Sequence, residues 1–356
     1  MKKLLALVMV LALALPFAVF AADYDIAMIT DIGTIDDKSF NQGTWEGIVE
    51  YADANGKTRI YYQPTAQSTE IYLDMIEQAV GDGAKIIVTP GFLFEQPIFT
   101  AQDMYPDVYF VLIDGNPNDG DWSTDAGPEY RTEANAVGIV YAEEQAGFLA
   151  GYAAVKDGYT KMGFMGGMAV PAVVRFGYGF VQGAELAAKE LGVSGLTLNY
   201  HYTGGFDATP EVQALSAAWY ADGVEVIFAC GGAVGNSVMA AAEAVGAKVI
   251  GVDVDQSGES ETVITSATKG LGAAVEQTLA AYYAGEFPGG EAQVKDAALD
   301  GVSLPMATSK FNTFTQEDYD AVFARLVANE ITLLKDSDVT AVTEIPVENV
   351  AVTEIK

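Results

Sequence analysis

Only one cysteine, Cys230, and one histidine, His201, occur in the chain. A single cysteine excludes any intramolecular disulfide. Its place in the apolar run Val226-Ile-Phe-Ala-Cys230 marks a small core residue, since reactive thiols need cationic neighbours. A single histidine narrows the options for general acid–base catalysis at neutral pH, and His201 reads as structural. Basic residues are also scarce: 18 Lys and Arg stand against 49 Asp and Glu, a formal charge of −31. Such a surface repels nucleic acid and anionic lipid and keeps a chain soluble and monomeric. Long apolar runs are missing after the first twenty or so residues. Within those, Lys2 and Lys3, the apolar stretch Leu4 to Leu15 and the small-residue site Val19-Phe-Ala21 have the composition of a signal peptide over 1–21. That stretch is too short to be a good membrane span. No cysteine stands at the cleavage site, so the expected product is a free periplasmic protein beginning near Ala22.

What the chain does have is apolar residues, half of the total, and 37 glycines. Both suit an α/β protein with many tight strand-to-helix turns. Short β-like runs at 26–29, 59–62, 85–88 and 108–113 alternate with helical patterns at 41–55, 68–81 and 96–104. This is the pattern of a parallel sheet covered on both faces. A polar stretch, Asp114 to Glu133, follows; it reads as a solvated insertion or lid. The alternation then restarts, with strands at 136–140, 161–164, 197–202, 224–230, 248–252 and 262–267 and helices at 143–155, 175–191, 209–220, 235–245 and 270–284. A helix over 316–329 precedes a Val/Thr/Glu-rich tail that reads equally as an edge strand or a frayed end. The predicted organisation is two doubly wound lobes joined by a hinge: 22–139 plus about 268–297, and 140–267 plus about 298–356. Two such lobes on an exported chain suggest a ligand clamp.

Open α/β sheets bind ligands at the carboxyl ends of their strands, and there the sequence places its polar groups. After the first strand come Asp31, Phe40 and Asn41: a carboxylate, a ring and an amide suited to a flat, hydrogen-bonding molecule. Gly251-Val-Asp-Val-Asp-Gln256 delivers Asp253 as a ligand candidate and Asp255 as a loop hydrogen-bonder. Lys269 follows another strand, and a lysine beside an aspartate suits a sugar diol. Phe206 closes a strand of the second lobe, so Phe40 and Phe206 would bring two rings from opposite lobes to one heterocycle. Gly231-Gly232 ends a strand where backbone approaches ligand or simply turns. Arg175 is read as a bridge between lobes, a ligand contact or a surface ion pair.

Asp31, Asp36 and Asp37 also invite comparison with the calcium site of nucleoside hydrolases. That motif needs an aspartate two positions before Asp31, where Ile29 stands. The two later aspartates are better read as serving the positive end of the next helix.

Four segments together resemble the basic membrane protein family of ABC transporter substrate-binding proteins, which includes bacterial purine nucleoside receptors. They are Asp31-Ile-Gly-Thr-Ile-Asp-Asp-Lys-Ser-Phe-Asn-Gln42 with Gly47, Glu144-Gln-Ala-Gly-Phe-Leu-Ala-Gly151, the Gly-Phe-Val-Gln-Gly run ending at Gly183, and Gly251 to Gln256. The resemblance spans roughly Tyr24 to Ala284. It implies a type I periplasmic-binding-protein fold, no cofactor or catalysis, a nucleoside held between lobes, and permease subunits as partners. By the same resemblance Asp31, with Asn41 beside it, receives the base edge and Phe40 and Phe206 stack on it. Asp114, Asp253 and Lys269 hold the ribose, and Gly232 lines the pocket with backbone. Two features depart from the family: the absent lipidation cysteine and the long acidic loop after Asp114. The competing expectations are the same fold binding another flat heterocycle such as riboflavin, and a sensory ligand receptor.

Overall fold

The structure, a computed structural model, describes residues 23–124 and 126–355. The signal-peptide reading of 1–21 falls outside the described residues. The first elements are β1 (Ile26–Ile29), α1 (Phe40–Asn55), β2 (Arg59–Tyr62), α2 (Thr69–Gly81), β3 (Ile86–Pro90), α3 (Glu95–Met104), β4 (Tyr109–Ile113) and β5 (Ala136–Tyr141). Then follow α4 (Glu143–Lys156), β6 (Lys161–Gly166), α5 (Pro171–Leu191), β7 (Leu196–Tyr202), α6 (Pro210–Ala221), β8 (Val226–Cys230), α7 (Val234–Val245), β9 (Lys248–Asp253) and β10 (Val263–Lys269). The chain ends with α8 (Leu271–Ala284), β11 (Glu291–Lys295), β12 (Val302–Ser303), α9 (Gln316–Val327) and β13 (Val350–Glu354).

These strands form two sheets, ordered β11-β5-β4-β3-β1-β2 and β12-β10-β9-β8-β6-β7-β13. All pairings between the named strands are parallel except that of β10 with β12. Central strands such as β1 and β8 are buried along their whole length, which is why they read as unbroken apolar runs. In each sheet the strand order reverses once, between β1 and β3 and between β6 and β8. Helices leave opposite faces of the sheet at such a point, and their divergence opens a crevice.

Helices α4 and α5 explain the two glycine-bearing motifs. A Cβ at Gly147 or Gly151 would run into the Phe176 or Phe180 carbonyl, and one at Gly179 or Gly183 into the Glu144 or Phe148 carbonyl. The helices therefore meet backbone to backbone. Gly183→Val is expected to destabilise the protein by roughly 1–3 kcal/mol or more, because the blocking atoms are main chain and cannot rotate away. Urea unfolding measures this; an unchanged midpoint would show that the helices separate freely.

Several boundaries differ from expectation. Helix α5 begins at Pro171, four residues before the predicted start; proline at N1 has its φ already set and loses no hydrogen bond. Strand β11, Glu-Ala-Gln-Val-Lys, lies at a sheet edge and is largely exposed, so it carries no hydrophobic signal. The tail ends as an edge strand: β13 runs parallel to β7, Val350 opposite Leu196. The described part of the 114–133 stretch pairs with itself at a bridge between Asn118 and Tyr130.

Candidate functional site

The two crevices face one cleft of about 740 Å³. Its walls include Asp31, Phe40, Asn41, Asp114, Phe206, Gly232, Asp253 and Lys269, so the structure brings all eight sequence candidates together. They come from the carboxyl ends of strands in both sheets or from the loops and helix starts that follow.

The β1–α1 loop is built around Asp31 and Asp37. Asp37 accepts from the backbone N–H groups of Asn41 at 3.0 Å and Gln42 at 3.1 Å, serving the start of α1. Asn41 Nδ2 donates to Asp31 Oδ1 at 2.9 Å and to Asp37 at 3.0 Å, so the amide ties the two carboxylates together. Asp31 Oδ1 also accepts from Gly33 N at 2.7 Å. Asp31 Oδ2 lies against Gly91, whose φ of +109° and closeness to that carboxylate leave no room for a side chain. Burial raises the Asp31 pKa to about 6, against the lowering effect of the Gly33 and Asn41 donors.

A second carboxylate group surrounds Lys269. Asp114 directly follows β4 and Asp253 ends β9, both in left-handed backbone at φ +58° and +67°. Aspartate tolerates this conformation better than most residues, yet it still stores strain that surrounding contacts must hold. The Lys269 ammonium pairs with Asp114 Oδ2 and lies 3.4 Å from Glu143 Oε1 and 3.7 Å from Asp253 Oδ1. Burial alone would lower the lysine pKa, but the three carboxylates outweigh it and hold the ammonium charged. The ammonium also stands 5.0 Å from the Phe40 ring centre and 5.3 Å from that of Phe176. Asp253 Oδ2 accepts from Ser39 Oγ at 2.5 Å, a bond from the β1–α1 loop to the second sheet. Burial lifts Asp253 to about 6 despite Lys269 and Ser39. Asp114 Oδ1 is buried and accepts no hydrogen bond.

In the second lobe, Phe206 follows β7. Its ring packs on Gly167 and Gly231, the turns after β6 and β8, where a Cβ would strike it or the adjacent backbone. Gly232 adopts φ +53° beside the Phe206 backbone. Asp255 accepts from Thr308 Oγ1 at 2.6 Å and Ser257 N at 3.0 Å, the loop role expected of it. His201 Nδ1 is 2.8 Å from the Ile355 carbonyl, and Cys230 is buried at the end of β8 on the cleft wall, its thiol pKa pushed well up by burial.

A family model for the Bmp proteins, described as ABC transporter substrate-binding protein PnrA-like, matches residues 25–335. The chain belongs to the Bmp family. It is 28% identical over 323 residues to the ABC transporter nucleoside-binding protein BmpA of Lactococcus lactis subsp. cremoris, covering 84% of this chain and 85% of that one. It is 31% identical over 256 residues to Basic membrane protein A1 of Borrelia garinii subsp. bavariensis, with 69% of each chain covered. An ABC transporter solute-binding protein from Aeropyrum pernix K1 shares the fold at a TM-score of 0.72 and 20% identity, covering 88% of this chain and 93% of its own. This Bmp-family chain thus has the type I periplasmic-binding-protein fold and is an ABC transporter substrate-binding protein. Among its described residues no helix is long and apolar enough to cross a membrane.

The Bmp-family cleft also contains residues that sequence reasoning missed. Glu143, at the first turn of α4, is 1% exposed; burial lifts its pKa to about 7 although Lys269 opposes the shift. It stands two residues beyond β5, as Asp31 stands two beyond β1, so the strand-end rule that found Asp31 would have found it. Glu95 Oε1 and Oε2 accept from Asn116 N at 3.0 Å and Asn118 Nδ2 at 2.8 Å, anchoring the acidic loop at the cleft wall. Asp336 reaches the cleft from the tail, and no local signal marks it. Arg175, left open above, lines the cleft and pairs with Glu143 and Asp336.

Proposed function

We propose that this protein is the exported receptor of an ABC importer and captures a nucleoside, with a purine as the best fit, between its lobes. The observation that carries the reading is a set of acceptors placed beside aromatic rings from both lobes. Asp31 offers Oδ2, which accepts no hydrogen bond from the described residues, and Asp114 offers the buried, unpartnered Oδ1. A carboxylate acceptor suits the ring and exocyclic N–H donors of a hypoxanthine or guanine edge. Asp114 and Asp253 suit the two hydroxyl donors of a ribose diol, and Lys269 donates back to a sugar oxygen. Phe40 and Phe206 supply faces for the base. Eight carboxylates against two cations line the cleft, which favours an uncharged ligand over an anionic one. The nucleoside-binding relative in Lactococcus supports the same assignment. Ligand contacts from both lobes would favour the closed form, and the closed form would dock on permease subunits.

Calorimetric titration with inosine, guanosine, adenosine, uridine and riboflavin tests the reading, alongside mass spectrometry of small molecules released from freshly purified protein. Saturable one-to-one binding of a purine nucleoside is expected. Binding of riboflavin alone would replace the ligand, and release of free base from inosine would replace the function. Phe206→Ala is expected to weaken nucleoside binding by roughly 1–3 kcal/mol, the scale of base stacking on an aromatic ring. The fold should tolerate it, since Phe206 lies outside the strands and is only half-buried. A large drop in melting temperature would instead make Phe206 a core residue.

A further inference from the structure

The family match ends at residue 335, and the next residue, Asp336, enters the cleft. The tail is pinned there from α5. Gln182 Nε2 donates to the Leu334 carbonyl at 2.8 Å, and Leu334 N donates back to Gln182 Oε1 at 2.8 Å. Two residues on, Asp336 meets Arg175: Nε donates to Oδ1 at 2.7 Å and Nη2 to Oδ2 at 3.3 Å. Arg175 Nη1 donates to Glu143 Oε2 at 3.4 Å. Every nitrogen of the guanidinium thus faces a carboxylate of the protein itself.

A planar fork of N–H donors is the group best suited to chelate a phosphate. Arg175 and Lys269 are the two cations among the residues lining the cleft. They are neighbours along its wall, because the two oxygens of Glu143 each lie 3.4 Å from one of them. Lys269 is already surrounded by Asp114, Glu143 and Asp253. Arg175 is therefore the group that would receive a phosphate near the sugar, and Asp336 occupies its fork. We infer that Asp336 is a specificity-determining residue: by holding Arg175 it makes the cleft accept an uncharged nucleoside and reject its phosphate esters. This rests on the nucleoside reading for the identity of the ligand. The hold on Arg175 is a property of the protein alone. A phosphate ester adds about −1.5 to −2 charges near neutral pH, facing a wall of carboxylates with no free cation among the described residues to meet it. Removing Asp336 takes away one repelling charge and releases two faces of the guanidinium at once. Discrimination of this kind comes from what the site does to the wrong ligand.

The test titrates inosine, inosine 5′- and 3′-monophosphate and inorganic phosphate into wild type, Asp336→Ala, Asp336→Asn and the Arg175→Ala/Asp336→Ala pair, with thermal melting to confirm folding. Asp336→Ala is expected to bind phosphate or a monophosphate at least about tenfold more tightly than wild type, a change of about 1.4 kcal/mol. Asp336→Asn, which keeps a hydrogen-bonding partner for Arg175, should gain less, and the double substitution should abolish the gain. No gain in either folded single variant would overturn the inference, as would wild type binding a monophosphate as tightly as inosine. Failure of wild type to bind any nucleoside would remove the ligand assignment, while the phosphate titration still reports on the hold of Asp336 over Arg175.

Discussion

Lys269→Met is expected to destabilise the protein by roughly 3–5 kcal/mol, the usual consequence of removing one partner from a buried ionic cluster. The lysine side chain is only 2% exposed, and its ammonium is the shared counter-charge of Asp114, Glu143 and Asp253. Methionine fills much of the same volume, so the loss comes from uncompensated charge and not from a cavity. The measurement is a urea midpoint at constant m-value. The signature is its pH dependence. The deficit should shrink as pH is lowered toward 5, because the stranded carboxylates then take up protons. A deficit that stays constant with pH would mean that packing around the lysine stem carries the stability. Nucleoside affinity should fall in the same variant, since a donor to the sugar is gone.

Asp31→Ala is expected to weaken nucleoside binding more than about tenfold, because the base edge loses its charged acceptor. Unchanged affinity by calorimetry would remove Asp31 from the site. The same residue gives binding a pH dependence with a definite sign. Asp31 and Asp253 have pKa values near 6 in the free protein, against an ordinary 3.8. A ligand that donates to the ionised forms must expel their protons below that point, so affinity should fall as pH drops from 7 to 5. Fold stability should move the opposite way. The folded state binds more protons than the unfolded chain between about pH 4 and 6, so these groups add stability as pH falls through that window. Glu143, at about 7, extends the effect upward. Melting curves and titrations across pH 5–8 at fixed ionic strength read both trends. Stability and affinity rising or falling together would contradict the assignment of raised acids to the binding site.

Much of the site was legible because strand ends announce themselves. Asp31 and Asp253 stand just past apolar runs, where a polar residue has no core to join, and Lys269 follows the strand-like run that ends in Thr265-Ser-Ala-Thr268. Asp37 could be assigned to the next helix from spacing alone, and its bonds to Asn41 N and Gln42 N show that role. Glu143 obeys the same strand-end rule but was hidden by the helix it begins, since a glutamate in a first turn is ordinary helix chemistry. Edge strand β11 was missed as a strand because alternation of apolar and polar residues fades when neither face is deeply buried.

The repeating strand–helix periods, the acidic surface, the absence of disulfides and the candidate polar groups follow from sequence alone, because each depends on residues within a few turns of one another or on composition. Convergence of those groups was decided only in the tertiary structure. Ser39 reaches Asp253 across 214 positions, Lys269 reaches Asp114 across 155, and Arg175 reaches Asp336 across 161. Strand order within two sheets, the crevices opened where that order reverses, and a tail pinned back along α5 bring these partners together. The raised acid pKa values arise there too, because desolvation depends on what surrounds a side chain in space and not on its neighbours along the chain.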